Sequence, residues 1–178
     1  MSKDKSKKNK PKVTANGPNA RASNAGAPNT SLTRQQLIDL LNEDLSREYQ
    51  AIIAYVNYSQ VLKGAQYMNI AGELAVHATE ELAHAIALAN HIDYLDGMPT
   101  VTPKPVKTSE KNEDMLRFDL ENERITIANY RRRIKQCDEL NEYAIGESIR
   151  EILMQEQDHL IALATALGID PPNPGIAD

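Results

Sequence analysis

Apolar residues recur at three- and four-residue steps through two long stretches of the chain, a spacing that gathers them on one side of a helix. The first stripe runs Leu37, Leu41, Leu45, Ile52, Tyr55 and Leu62, and Glu48 falls on it. The second runs Leu74, His77, Glu81, His84, Leu88, His91 and Leu95. The third runs Leu116, Leu120, Glu123, Ile127, Tyr130, Ile134 and Cys137, and the fourth Ile149, Ile152, Glu156, His159 and Leu163. The punctuation agrees with four helices. No proline occurs between Pro28 and Pro99 or between Pro105 and Pro171, so both intervals can carry unbroken helix. Thr33 and Gln36 form a capping box, Gly64 predicts a stop and turn, and Gly97 followed by Pro99 ends the second helix. Ser109, with Glu110, Glu113 and Asp114 behind it, opens the third helix with acids on the side its dipole favours. Gly168 and Pro171 end the fourth. The fold predicted is an all-α four-helix bundle over residues 31–170.

Each of the four core stripes thus carries a glutamate at mid-helix, which is costly unless something compensates it. Glu81 and His84 form Glu-x-x-His, as do Glu156 and His159, and this step puts both side chains on one helix face. Each motif follows another stripe glutamate by 33 residues, Glu48 before Glu81 and Glu123 before Glu156, so the chain contains the same hairpin twice. Glu48 stands fifteen residues before Lys63 and Glu81 fifteen after Gln66. A turn at Gly64 therefore brings those two carboxylates level, and a turn near Leu140 does the same for Glu123 and Glu156. Packing the hairpins together collects four carboxylates and two imidazoles, which left bare would repel one another and lose their hydration. Two divalent cations cancel the four charges. Oxygen ligands with one imidazole per ion suit Fe(II) and Mn(II), with Zn(II) as a redox-silent competitor. The other core histidines, His77 and His91, read as ordinary hydrogen-bonded residues, and Cys137 as a small buried hydrophobe.

Composition narrows the picture. A chain of 178 residues with 41% hydrophobic content suits one domain, and with no tryptophan and Phe118 its single phenylalanine, the core must be mainly aliphatic. One cysteine allows neither an internal disulfide nor a thiolate metal site. No apolar stretch is long enough to cross a bilayer, and the N-terminal lysines precede no apolar segment, so a cytoplasmic location is expected. The net charge of -5 is unevenly divided: residues 1–30 hold seven Lys/Arg against one acid, leaving -11 on the remainder. That first segment has almost nothing to bury and is expected to be a disordered basic arm. Its lysines (Lys3, Lys5, Lys7, Lys8, Lys10 and Lys12) suit either a solvated tail or a non-specific DNA contact. Residues 171–178 form a proline-rich tail.

With these residues in hand, the chain resembles the bacterioferritins from about Thr33 through Leu167. The runs His84 to Pro99, Glu113 to Glu123 and Glu151 to His159 are similar to that family's second-helix ending, third-helix opening and fourth helix. The resemblance implies a ferritin-like bundle with two iron ions per subunit. Glu81 and Glu156 would bridge the ions, Glu48 and Glu123 bind terminally, and His84 and His159 complete one ion each. Tyr55 matches a tyrosine that the family keeps near the site. Leu82 stands where haem-binding members have methionine, so no haem is expected. The tail after Asp170 lacks the family's short fifth helix and, with the lysine-rich arm, looks like the Dps-like mini-ferritins. A homo-oligomer of twelve subunits is therefore favoured over twenty-four. The implied activity is oxidation of Fe(II) by O2 or H2O2 and storage of the product, with DNA protection as a further role. The alternatives are a rubrerythrin-like peroxidase, a manganese catalase-like enzyme, or a nucleoid-binding protein with a secondary iron site. The ferritin-like reading also implies that the connection from Gly97 to about Thr108 crosses the bundle's length. A dozen extended residues span ~40 Å, about the length of a 28-residue helix, so helices two and three would run parallel.

Overall fold

The computed structural model describes residues 32–173 and residue 175, and the basic arm expected at 1–30 lies outside them. Four long helices make up the described chain: α1, Arg34–Val61; α2, Met68–Tyr94; α3, Asn112–Glu139; and α4, Tyr143–Leu167. No strand occurs among the described residues. The predicted capping box forms, with Thr33 Oγ1 accepting from the Gln36 amide at 3.2 Å and the Thr33 amide donating to Gln36 Oε1 at 2.9 Å. Gly64 turns the chain with φ of 110°, a conformation that a β-carbon disfavours. A short 3-10 turn, Ala65–Tyr67, then leads into α2.

Two helix ends differ in detail from expectation. Asp96, with φ of 64°, takes the left-handed position after α2, and Gly97 donates its amide to Ile92 O at 2.9 Å. Gly97 is needed there for space: a β-carbon would lie 2.6 Å from Ile38 Cγ2. Ser109 does not cap α3, whose cap position is Lys111. The Ser109 hydroxyl instead accepts from the Lys111 amide at 3.1 Å and donates to Asp114 at 2.9 Å, a local turn that delays the helix by two residues.

α1 packs on α2 and α3 on α4, and the two hairpins meet through α1 with α3 and α2 with α4. The segment joining α2 to α3 runs the length of α1. Arg34 donates to Tyr94 O at 3.2 Å at the start of α1, and Asn112 donates to Lys63 O at 2.6 Å beyond its end. Between these, Asn42, Ser46 and Gln50, spaced four residues apart on one face of α1, bond to the backbone of Met98, Thr102 and Pro105 at 3.2, 2.8 and 2.6 Å. α2 and α3 consequently start from the same end and run parallel, as expected. The core has two apolar halves. One centres on Tyr58, Leu74, Leu116 and Leu163, the other on Leu41, Leu88, Ile92 and Ile149. Cys137 is fully buried in the second half, and burial pushes its thiol up to about 11.

Candidate metal centre

A layer of charged side chains separates the two apolar halves. Glu48 from α1, Glu81 and His84 from α2, Glu123 from α3, and Glu156 and His159 from α4 are each at most 3% exposed. All six of the site residues predicted as ligands therefore come together, as the hairpin arithmetic requires. They form two groups, Glu48 with Glu81, His84 and Glu156, and Glu81 with Glu123, Glu156 and His159; within each, donor atoms lie within 4.8 Å of one another. Glu81 and Glu156 belong to both. The sharing is atom by atom: Glu81 turns Oε2 to His84 Nδ1 at 3.1 Å and Oε1 to His159 Nδ1 at 3.0 Å. Glu156 turns Oε1 to His84 Nδ1 at 3.2 Å and Oε2 to His159 Nδ1 at 3.7 Å. Tyr55, also predicted at the site, is fully buried and donates its hydroxyl to Glu123.

The electrostatics are those of a site short of positive charge. Burial, then the neighbouring carboxylates, hold Glu81 and Glu123 well above the ordinary carboxylate range. Burial alone would lower the two histidines and raise Glu156. The close approach of the imidazoles to the carboxylates reverses that: His84 is raised, His159 is raised to about 9 and Glu156 is lowered. The directions are those of a centre that favours bound protons or cations, and several of its polar atoms are left without a partner. Glu48 Oε2, Glu81 Oε1, Glu123 Oε2, Glu156 Oε1 and His159 Nδ1 are buried without a hydrogen bond, His159 Nδ1 despite its 3.0 Å approach to Glu81. Buried oxygens left unpaired on four convergent carboxylates fit a pair of hard or borderline divalent ions.

Residues 38–170 match the sequence profile of the ferritin-like domain. The chain belongs to the ferritin-like family. Among solved structures, this ferritin-like chain is similar to a ferritin-like diiron-carboxylate protein from Bacillus anthracis, with TM-score 0.72 and 31% identity over 75% of this chain and 96% of that one. It is also similar to a dodecameric thioferritin, the bacterioferritin-related protein of Bacteroides fragilis, with TM-score 0.71 and 28% identity over 78% and 88% of the two chains. A bacterioferritin from Brucella melitensis is 28% identical over 135 residues, 75% of this chain and 84% of that protein. No described helix is long and apolar enough to cross a membrane.

The two halves of this ferritin-like bundle correspond at an offset of 75 residues, as Glu48 with Glu123, Glu81 with Glu156 and His84 with His159 show. Tyr55 then corresponds to Tyr130, which is fully buried and donates to Glu48 just as Tyr55 donates to Glu123. The core stripe of the third helix contains Tyr130 without marking it as a site residue, although the repeat that aligns the glutamates also aligns it with Tyr55. Asp44 and Asp119 correspond too, four residues before Glu48 and Glu123. Asp44 receives a buried two-point contact from Arg133, at 2.7 Å from Nε and 3.2 Å from Nη2. Burial still raises Asp44 to about 6. Asp119 has Tyr58 at the position matching Arg133, its Oδ2 finds no partner, and burial holds it well above its ordinary value. His77 departs from the hydrogen-bonded core histidine expected: its Nδ1 makes no hydrogen bond and its ring stacks on His159. Burial, then His159, pushes His77 down to about 4.

Proposed function

We propose that this chain is a di-iron ferroxidase that takes Fe(II) as its substrate, oxidises it with O2 or H2O2 and releases Fe(III) for storage. The observation that carries the reading is the division of Glu81 and Glu156, each offering one oxygen to the His84 side and the other to the His159 side. That geometry supports two bridging carboxylates. Glu48 and His84 would complete one ion, and Glu123 and His159 the other. Two Fe(II) ions held there supply the two electrons that reduce O2 to H2O2, or H2O2 to water.

The protein's own part is positioning and proton handling. Tyr130 and Tyr55 each donate to one oxygen of Glu48 and Glu123, leaving the second oxygen of each, unpaired in both cases, for an ion. Gln155 at 2.7 Å from His84 Nε2 and Glu80 at 2.8 Å from His159 Nε2 hold both rings with Nδ1 turned to the centre. The raised groups, Glu81, Glu123, His84 and His159, favour bound protons, which incoming cations would displace and reduction of the oxidant would consume. The apolar halves above and below limit water around the ions. Replacing Glu81 and Glu156 with Ala should abolish fast Fe(II) oxidation, followed by absorbance under air, while circular dichroism stays helical. Unchanged oxidation kinetics would overturn the assignment.

Storage requires an enclosing shell, and we propose a homo-oligomer of twelve. Similarity to the dodecameric Bacteroides fragilis protein supports that number. Light scattering on iron-loaded protein should give a mass near twelve chains; a monomer or dimer would contradict the shell.

A further inference from the structure

One face of the centre is not duplicated in the other half. At the 75-residue offset, Ile152 stands where the first hairpin has His77, and Gln155 where it has Glu80. His84 Nε2 accordingly meets a neutral amide, while His159 Nε2 meets the carboxylate of Glu80 at 2.8 Å. His77 is 6% exposed, its Nδ1 has no hydrogen-bond partner, and its ring stacks on His159 with centroids 4.0 Å apart and planes inclined by 26°. One donor atom each from His77, Glu80 and His159 lies within 4.8 Å of the other two. Ion-to-ligand bonds of about 2.1 Å would let a single cation reach all three after small side-chain shifts. The three residues line a cleft of about 270 Å³ that also includes the exposed acids Glu73 and Asp158. A buried imidazole nitrogen without a partner is a cost to the fold that a bound cation would remove.

We propose that His77, Glu80 and His159 form a third divalent-cation site, through which Fe(II) is handed to the paired centre. The inference rests on the reading of that centre as a metal site. Two imidazole nitrogens with one carboxylate favour Fe(II), Co(II) or Zn(II) over Mg(II) or Ca(II). His159 is the shared element. A neutral imidazole has one lone-pair nitrogen and one N–H, so His159 can offer Nε2 to the outer cation or Nδ1 to the inner one. Once Nδ1 serves the centre, the Nε2 proton is donated to Glu80 and the outer cation keeps only His77 and Glu80. The outer site therefore loosens as the inner one fills, which is the behaviour a transfer site needs. The exposed Glu73 and Asp158 draw cations to the mouth of the cleft.

The test is an anaerobic titration of the full chain with Co(II), reading bound metal per chain by equilibrium dialysis and ligand type by visible absorption. The wild type should bind three ions, the third more weakly. The variant His77→Ile carries the residue found at that position in the other half, leaves the Glu80 contact to His159 in place, and should bind two. It should fill the paired centre severalfold more slowly under stopped flow while reaching the same final occupancy. His77→Gln should also lose the third ion, which guards against a folding defect in His77→Ile. Equal stoichiometry in the wild type and both variants would overturn the proposal and leave the paired centre standing. One ion in the wild type and none in His77→Ile would support the outer site while sinking the paired-ion reading.

Discussion

Asp44 and Asp119 occupy matching places in the two hairpins, yet the protein treats them oppositely. Asp44 is 2% exposed and lies against Arg133, itself 4% exposed, so its charge is matched and its lone pairs are used. Removing one partner of such a pair strands the other charge, at about 3–5 kcal/mol. Arg133→Met should therefore lower stability by about that much in urea denaturation at pH 7. Asp119 has no such cation, and burial pushes its carboxyl well above the ordinary carboxylate range, toward the neutral form. Asp119→Asn replaces one neutral hydrogen-bonding group with another, so the same measurement should find a change within about 1 kcal/mol. A large loss in Asp119→Asn would show that Asp119 is ionised in the folded protein.

At the scale of helices, what could be read from residues was whatever repeated. The 33-residue step from Glu48 to Glu81 recurs from Glu123 to Glu156, and two hairpins turning at Gly64 and near Leu140 follow from it. The α1 start was legible because Thr33 and Gln36 bond only to each other's short neighbourhood. Ser109 misled because a serine hydroxyl can serve a turn as readily as a helix end, and only the surrounding chain decides which. His77 misled for a related reason: nothing local says whether a core imidazole meets a partner, and the ring it stacks on comes from α4. The Arg133 contact to Asp44 was hidden likewise, because it joins α3 to α1 across 89 residues. The helix does stop before Gly97, but the left-handed residue is Asp96, and Gly97 is constrained by its closeness to Ile38 of α1 and to Ile92. Gly97→Ala would press a methyl against Ile38 and Ile92 and should cost about 1–3 kcal/mol, measured by thermal unfolding. Asp96→Gly, by contrast, should be neutral or stabilising in the same assay.

Across the whole molecule, the centre ties stability to pH. His84 and His159 are raised in the folded state, His159 to about 9, so the stability they give is complete below the unfolded value near 6.5 and is lost as pH rises toward 9. Glu81 and Glu123 are also raised and act in the same direction; Glu156 is lowered and keeps its contribution throughout this window. Metal-free protein should therefore melt at progressively lower temperature from pH 6.5 to 9 in calorimetry with chelator present. Cation binding displaces the same protons, so loaded protein should show a flatter or opposite trend. A metal-free melting temperature that rose across this range would contradict the charge distribution described above. The long connection laid along α1 also sets how the chain can be divided. Each hairpin carries one Glu-x-x-His, one further buried glutamate and one tyrosine that donates to a glutamate of the other hairpin, and the connection joins them along the outside of α1. Severed between Thr102 and Pro103, neither fragment could hold the complete centre. Expressed together, the two should find each other and rebuild it, making recovered Fe(II) oxidation a direct signal that two separate chains have joined.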